Sequence, residues 1–272
     1  MQRRRREHRQ VYRVIQDSDI VVEVLDARFP NLTRSESVES FIMEKKKPLL
    51  FCMNKCDLVP RPINKAWRNH LSEIAPTVYV SSRYRLGTKQ LRQILQRFSQ
   101  GQDARICAVG VPNTGKSSLI NVLKGRHSAS TSPRAGHTRH IQLLRISDKL
   151  VMYDTPGLSP VDTLSFNLQV FLGAIPVEKI DDPLDSLDFI LKRIKQHFYK
   201  DFLERYQLSS EQLDSEIDSL VSFVAKRRGR IKAEGKADID ETARMIIREF
   251  LEGKFKYFER PPRKHDRYAE KN

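Results

Sequence analysis

Gly110-Val-Pro-Asn-Thr-Gly115-Lys116-Ser117 has the spacing GxxxxGK[ST] and lies between an apolar run, Ala104 to Val109, and a helix-forming run, Ser118 to Lys124. Strand, glycine turn and helix start in that order make a phosphate cradle. The glycines let successive backbone N–H groups point inward around a phosphate chain, and the helix N-terminus adds partial positive charge. Lys116 is then expected to reach the β- and γ-phosphates and the Ser117 hydroxyl to ligate Mg²⁺. Gly110, Asn113, Thr114, Gly115, Lys116, Ser117 and Ser118 are the expected phosphate-side contacts. A chemically idle glycine turn is the bland alternative, and the flanking context weighs against it.

Two further stretches bear on the base. Asn54-Lys55-Cys56-Asp57 follows the apolar run Leu49 to Met53 and has the form NKxD. In that form the Asp57 carboxylate accepts both N–H groups on the guanine edge, a pair adenine does not offer, with Asn54 and Lys55 beside it. Asp154-Thr-Pro-Gly157 has the form DxxG: Asp154 would hold Mg²⁺ through water and the Gly157 N–H would meet the γ-phosphate. Each tetrapeptide alone is weak. Three together at the ends of expected strands specify a guanine nucleotide, GTP or GDP.

The order is unusual. Most GTPases carry the phosphate loop first, then DxxG, then NKxD, whereas here NKxD at Asn54 precedes the phosphate loop at Gly110, which precedes Asp154. The chain resembles the circularly permuted GTPases that assist ribosome assembly. Asp26-Ala-Arg-Phe-Pro30 looks like their DAR-x-P turn, Gly110-Val-Pro-Asn113 like their GxPN loop, and the tail from Glu204 to Phe258 like their C-terminal helical domain. The resemblance implies several roles. Ser81-Ser82 takes the place of the guanine-contacting SA loop, with Ser82 for the usual Ala. Ala135-Gly-His-Thr138 takes the place of the PGxT switch, with Ala135 for Pro, and makes Thr138 the second hydroxyl on Mg²⁺. Asn113 occupies the position that holds K⁺. Lys116, Thr138 and Gly157 are the catalytic candidates, with Ser117, Thr138 and Asp154 for Mg²⁺.

Leu158 follows DTPG where Ras-like enzymes place a water-orienting glutamine, so slow unaided turnover is expected. His137 and His140 lie in the switch stretch and read as surface or RNA-facing histidines in preference to water-positioning groups. The family's N-terminal histidine follows a Trp-Phe-Pro-Gly stretch that is absent here, and its role does not transfer to His8.

The elements that must position these groups alternate. Strands are expected over Asp19 to Leu25, Pro48 to Met53, Thr77 to Val80, Ala104 to Val109, Arg139 to Ile146 and Lys149 to Tyr153. Helices are expected over Ser35 to Glu44, Pro62 to Ile74 and Gly87 to Phe98. The fold class that follows is α/β, a doubly wound, mostly parallel sheet of the P-loop GTPase type with permuted motif order, plus a small C-terminal all-helical domain. The expected division is a GTPase domain over 1–175, opened by a basic helix over 1–17, a helical RNA-binding domain over 176–260 and a basic tail over 261–272. Ser165 to Leu172 is expected to form the last helix of the first domain and Gly173 to Pro183 a linker. Three aliphatic stripes follow, Leu187 to Phe202, Leu213 to Val224 and Ile239 to Leu251, which are core of a bundle. The DTPG loop is nearly the last piece of the nucleotide domain, so nucleotide state is expected to be passed on to that bundle.

The 272 residues carry a net charge of +15, which suits a polyanionic partner or simply a soluble basic surface. Lys226 to Lys236 concentrates six cations against one acid. Lys226, Arg227, Arg228, Arg230 and Lys232 are the RNA-binding candidates, close to Lys254-Phe-Lys-Tyr-Phe258, whose aromatics are expected to stack on unpaired bases. No apolar run is long enough to span a bilayer, and the arginine-rich start is followed by no signal-type apolar segment. Cys52, Cys56 and Cys107 are too few and wrongly spaced for a zinc site, and Cys52 and Cys107 are expected in buried strands. A reduced, cytoplasmic, monomeric protein without membrane contact is the expectation. The family resemblance implies the ribosomal large subunit or its precursor and rRNA as its partners. Two other functions remain open on the sequence: a GTP-gated RNA-binding scaffold with negligible hydrolysis, and a switch that engages only proteins.

Overall fold

The computed structural model describes residues 11–124, 142–154, 164–233 and 235–262. A first helix, α1, covers residues 11–17 and buries Val11, Val14 and Ile15, the apolar face of an otherwise polar segment. Strand β1 (Ile20–Asp26) follows, then β2 (Leu49–Asn54), β3 (Thr77–Tyr79), β4 (Ala104–Val109), β5 (Gln142–Arg145) and β6 (Leu150–Asp154), in the spatial order β3-β2-β1-β4-β6-β5. All neighbouring pairs are parallel except β5 with β6, which form an antiparallel pair at one edge.

Strands covered on both faces should read as continuous apolar runs, and β1 and β2 are buried at every position. Side chains alternate between two layers. Val21, Leu25, Phe51 and Met53 pack against α1, α3 (Glu36–Glu44) and α4 (Arg61–Leu71) through Ile15, Ile42, Trp67 and Leu71. Val22, Val24, Leu50 and Cys52 pack against α5 (Thr88–Phe98) and α6 (Lys116–Lys124) through Leu91, Leu95, Leu119 and Leu123. This is the doubly wound sheet expected from the sequence. Between β1 and β4 the strand order reverses, which in such sheets is where ligands bind, at the C-terminal strand ends.

One acid interrupts the apolar interior. Glu23 of β1 is fully buried and accepts a hydrogen bond from the Ser35 N–H at 2.8 Å. Burial, and then the nearby Glu39 carboxylate, push its carboxyl well above the ordinary glutamate range. Glu39 is itself held bidentately by Arg34, at 2.9 and 2.6 Å.

By contacts the chain divides into residues 1–161 with 258–272, and 162–257. The sequence placed the division after 175 and kept the tail apart from 261 onward. Two physical reasons underlie the difference. α7 (Phe166–Phe171) buries Val170 and Phe171, and the Phe171 ring lies 5.1 Å from Phe250 and 5.4 Å from Tyr257, so this helix packs with the later helices. After Tyr257 the chain returns to the sheet domain: the Glu259 N–H donates to the Arg28 carbonyl at 2.7 Å and Trp67 Nε1 donates to the Glu259 carbonyl at 2.9 Å.

The helical unit departs from expectation in detail. The first stripe is two helices, α8 (Pro183–His197) and α9 (Tyr199–Tyr206), separated at Phe198. The second is a short α10 (Ser210–Leu213), closed by a Ser209–Gln212 capping box, and α11 (Ile217–Arg227). The third is α12 (Ile239–Leu251), capped by the Asp238 side chain. Residues 173–183 are not a loose linker. Val177 and Ile180 are buried, and Arg244 of α12 donates to both their carbonyls, at 2.9 and 2.7 Å.

Candidate functional site

Two contacts explain the glycines of the phosphate loop. A Cβ on Gly110, at φ +143°, would lie 2.3 Å from the Val24 carbonyl of β1, and one on Gly115, at φ +89°, would lie 2.3 Å from Asn54 Nδ2. The loop is thus pressed against the neighbouring strand on one side and against the NKCD stretch on the other. Thr114 is buried, its hydroxyl donating to the Val111 carbonyl at 2.9 Å. Lys116 is buried at the start of α6, and its ammonium donates to the carbonyls of Gly110 and Val111 at 2.7 and 3.0 Å, which holds it inside the loop. Asn113 is exposed at φ +64°.

Asn54 joins three loops. Its Nδ2 donates to the Thr114 carbonyl at 2.9 Å and to that of Gly115 at 3.4 Å, and its Oδ1 accepts from the Ser82 N–H at 3.0 Å and the Ser82 hydroxyl at 2.9 Å. Phosphate loop, NKCD turn and Ser81-Ser82 loop therefore converge at the C-terminal ends of β2, β3 and β4. Asp57 sits half-buried in the short 3₁₀ turn Cys56–Leu58 that follows. The Cys56 N–H donates to the Val80 carbonyl at 3.0 Å, which fastens that turn to the serine loop.

Lys55, at φ +62°, directs its ammonium to Asp26 Oδ2 at 2.9 Å. Asp26 also receives the Arg28 guanidinium, Nε to Oδ1 at 3.0 Å and Nη2 to Oδ2 at 2.8 Å, and the Arg28 N–H at 3.0 Å. Burial alone would raise the Asp26 carboxyl, but Arg28 and Lys55 together outweigh it and hold it well below the usual aspartate value of 3.8. Lys55 is shifted downward, by burial first, with Asp26 opposing. The DAR turn thus carries the counter-ion of the NKCD lysine, and the strap at Glu259 sits on its backbone. From the sequence, Asp26 to Pro30 reads only as a turn and this ion pair is missed, although the Asp-x-Arg spacing is an available signal for it; nothing in the sequence marked Trp67 or Glu259.

The Mg²⁺ candidates are placed in part. Ser117 is exposed in the first turn of α6. Asp154 ends β6 and pairs in register with Ala108 of β4, two residues before Gly110. A serine hydroxyl at the start of α6 and an aspartate at the end of β6 are residue types that offer the hard oxygen donors Mg²⁺ takes. Thr138, Gly157, Leu158, His137 and His140 lie outside the described residues. Among the described residues no group of three His, Cys, Asp or Glu could hold a metal ion, and all three cysteines are buried free thiols. Cys52 and Cys107 are wholly buried in β2 and β4, and burial pushes the Cys56 thiol up to about 11.

In the helical unit, Lys226 and Arg227 end α11 and, with Arg228 and Lys232, are exposed. Arg230 is half-buried, its Nε 3.2 Å from Met245 Sδ, and a backbone bridge pairs Ile231 with Ala237. The basic run is therefore a fixed turn. The aromatics expected to stack on bases do not present themselves for it: Phe255 is 3% and Tyr257 7% exposed. Phe255 packs on Phe202 and Phe250, and Tyr257 on Phe171 and Phe198, because the apolar rings complete the core of the bundle. Phe258 packs into the sheet domain.

Fold and site together define a P-loop guanine-nucleotide-binding protein whose NKxD loop precedes its phosphate loop. A family profile described as 50S ribosome-binding GTPase matches residues 105–246, and one described as RsgA GTPase matches residues 1–164. A GTP-binding protein of Methanocaldococcus jannaschii is 33% identical over 265 residues, 96% of this chain and 69% of that protein. Nucleolar GTP-binding protein 2 of Saccharomyces cerevisiae is 33% identical over 94% of this chain and 53% of its own length. The chain thus spans about half the length of that nucleolar relative. The solved GDP-bound structure of TM YlqF superposes with a TM-score of 0.65 at 27% identity, covering 93% of this chain and 99% of that one. GNP-bound YlqF from T. maritima gives 0.62 at 25% identity, covering 92% and 96%. The chain belongs to the circularly permuted GTPases of ribosome biogenesis. Binding of GTP and GDP, usually with Mg²⁺, is the shared property of that family. No helix among the described residues is long and apolar enough to cross a membrane.

Proposed function

We propose that this chain hydrolyses GTP as a nucleotide-switched assembly factor on the ribosomal large subunit or its precursor, working in the cytoplasm as a monomer. The observation that carries the reading is the Asn54 side chain, which ties the phosphate loop to the guanine-side loops with four hydrogen bonds. One ligand that bears both a guanine and a phosphate chain explains why these loops are fastened together.

In this reading Asp57 selects guanine, with Lys55 and the Ser81-Ser82 loop against the base. Gly110, Asn113, Thr114, Gly115, Lys116, Ser117 and Ser118 wrap the phosphates. Ser117, Thr138 and Asp154 serve Mg²⁺, which would spread the charge developing on the transferred phosphoryl group, and Gly157 senses the γ-phosphate. Lys116 supplies fixed positive charge. Asn113 would offer its amide oxygen to K⁺, a role its exposure in the phosphate loop supports. Leu158 cannot orient water, so turnover is slow until a ribosomal subunit completes the site.

The family profile named for the 50S subunit and the nucleolar relatives support a large-subunit partner. Lys226, Arg227, Arg228 and Lys232, exposed on a fixed turn, support rRNA contact in the helical unit, with Arg230 bracing that turn. Binding to each separated ribosomal subunit, with a GTP analogue and with GDP, tests the proposal. Preferential binding of the large subunit with the analogue, and faster turnover on it, are expected; ATP binding as tightly as GTP would end the reading. A scaffold with negligible hydrolysis would bind in the same way without acceleration, and a switch that engages only proteins would show little salt dependence.

A further inference from the structure

A cleft of about 550 Å³ opens beside α4 and the edge strand β3, lined by Arg61, Pro62, Lys65, Arg68 and Tyr79. Arg61, Lys65 and Arg68 recur at i, i+4 and i+7 and so share one face of the helix, adjoining the face that buries Asn64, Trp67 and Leu71. No carboxylate occurs between Asp57 and Glu73, and none of the three cations makes an ion pair among the described residues. The Arg68 guanidinium lies over the Tyr79 ring, 5.9 Å from its centroid. Tyr79 is half-buried on the outermost strand of the sheet, one residue before Val80 and the Ser81-Ser82 loop.

The cleft is also held rigidly. Asn64 Nδ2 donates to the carbonyls of Cys56 and Val59, both at 2.9 Å, and so locks the start of α4 to the NKCD turn. Trp67, one turn further on, is held by the Glu259 carbonyl. Three charges retained without counter-ions around an aromatic floor cost self-repulsion, and a polyanion relieves it.

We propose that this cleft binds an unpaired RNA segment, its phosphates on Arg61, Lys65 and Arg68 and one base stacked on Tyr79. The inference rests on the RNA-binding reading above and gives it a second contact, on the nucleotide domain itself. A row of cations beside a ring is the pattern that tracks a single strand, cations on the backbone and an aromatic face for the base. An acidic peptide would satisfy the cations and leave the ring idle.

The test is fluorescence anisotropy of a labelled single-stranded oligoribonucleotide with the whole chain over a series of KCl concentrations. Arg61→Ala, Lys65→Ala and Arg68→Ala combined should weaken binding at least tenfold and lower the salt slope by about 2, at about 0.7 per phosphate contact. Tyr79→Leu should weaken binding about fivefold or more with the slope unchanged, and Tyr79→Phe, which keeps the ring, should bind as the parent does. GDP affinity unchanged in all variants shows that the fold and the guanine site stand. A parent that binds the oligonucleotide and a triple variant that binds it equally overturn the cleft and leave the RNA-binding reading intact; a parent that binds no RNA overturns both. Competition by poly-glutamate as effective as by unlabelled RNA also overturns it, since the cleft would then be a general anion surface.

Discussion

The Lys55 ammonium lies 2.9 Å from Asp26 Oδ2, so the lysine of the guanine-recognition turn is held by a carboxylate from the end of a different strand. Arg28 closes the same carboxylate from the other side, and both the Asp26 and Arg28 side chains are at most 3% exposed. Removing one member of a buried ion pair leaves an uncompensated charge, which costs about 3 kcal/mol or more. Asp26→Asn is therefore expected to lower the unfolding free energy by about that amount and to weaken GDP and GTP alike. The pH dependence follows from the depressed Asp26 carboxyl: its contribution is complete above the usual aspartate value and is lost as pH falls below about 4. Urea unfolding from pH 7 to pH 3 should show that loss in the parent, and the part due to Asp26 should be missing in Asp26→Asn.

Glu23 has the opposite sign. Its carboxyl is raised, so the folded state takes up a proton that the unfolded chain gives away above about 4.3. Its contribution is complete below that value and declines as pH rises toward the folded-state value. Glu23→Gln keeps an acceptor for the Ser35 N–H and carries no charge to bury. Melting temperatures across pH 5 to 8 should be higher for Glu23→Gln, with the gap widening as pH rises; a constant gap would contradict the buried-acid account.

Asn54 predicts a site-wide effect from one side chain. Asn54→Ala removes the side-chain hydrogen bonds that tie the NKCD turn to Thr114, Gly115 and Ser82, and is expected to weaken GTP and GDP at least tenfold, about 1.4 kcal/mol. Gly115→Ala should do the same from the other side, because its Cβ would press on Asn54 Nδ2. Titration with a fluorescent guanine nucleotide measures both, and near-parental affinity in Asn54→Ala would show that the loops assemble without it.

Asn113 sits exposed in the phosphate loop with a left-handed backbone. GTP turnover is expected to be faster in K⁺ than in Na⁺, and Asn113→Ala should abolish the difference. Equal rates in both salts with the parent chain would remove K⁺ from the site.

The chain has one tryptophan, Trp67, and its indole N–H is bound by the Glu259 carbonyl, so fluorescence reports directly on whether residues 258–260 are seated. Deleting residues 258–272 should shift the emission to the red. Trp67→Phe should cost about 1 kcal/mol for the lost hydrogen bond. Unchanged emission after the deletion would mean the strap contributes nothing to the burial of Trp67.

The sheet was legible because its signals are local. Ile20 to Leu25 is apolar except at Glu23 and Leu49 to Met53 is apolar throughout, each run is bounded by polar or turn residues, and each glycine loop follows its strand directly. Helix ends in the bundle were less legible: the stripe from Leu187 to Phe202 continues across Phe198, where φ of −126° breaks the helix without Gly or Pro. The aromatic run Phe255 to Phe258 misled for a related reason. Alternating cations and rings look the same in a sequence whether the rings face solvent or fill a core, and here Phe255 and Tyr257 fill one.

What the chain's own letters determined is the guanine-nucleotide motif set and its permuted order, since phosphate loop, NKCD and DTPG each hold their chemistry within a few consecutive residues. Tertiary structure alone decided how those groups are held: Asp26 to Lys55, Asn54 to Thr114 and Ser82, and Trp67 to Glu259, pairs up to 192 residues apart. Hydrogen bonds and ion pairs over such separations leave no spacing for a sequence to show. They exist because parallel strands bring distant loops to one edge of the sheet, where buried polar groups must find partners.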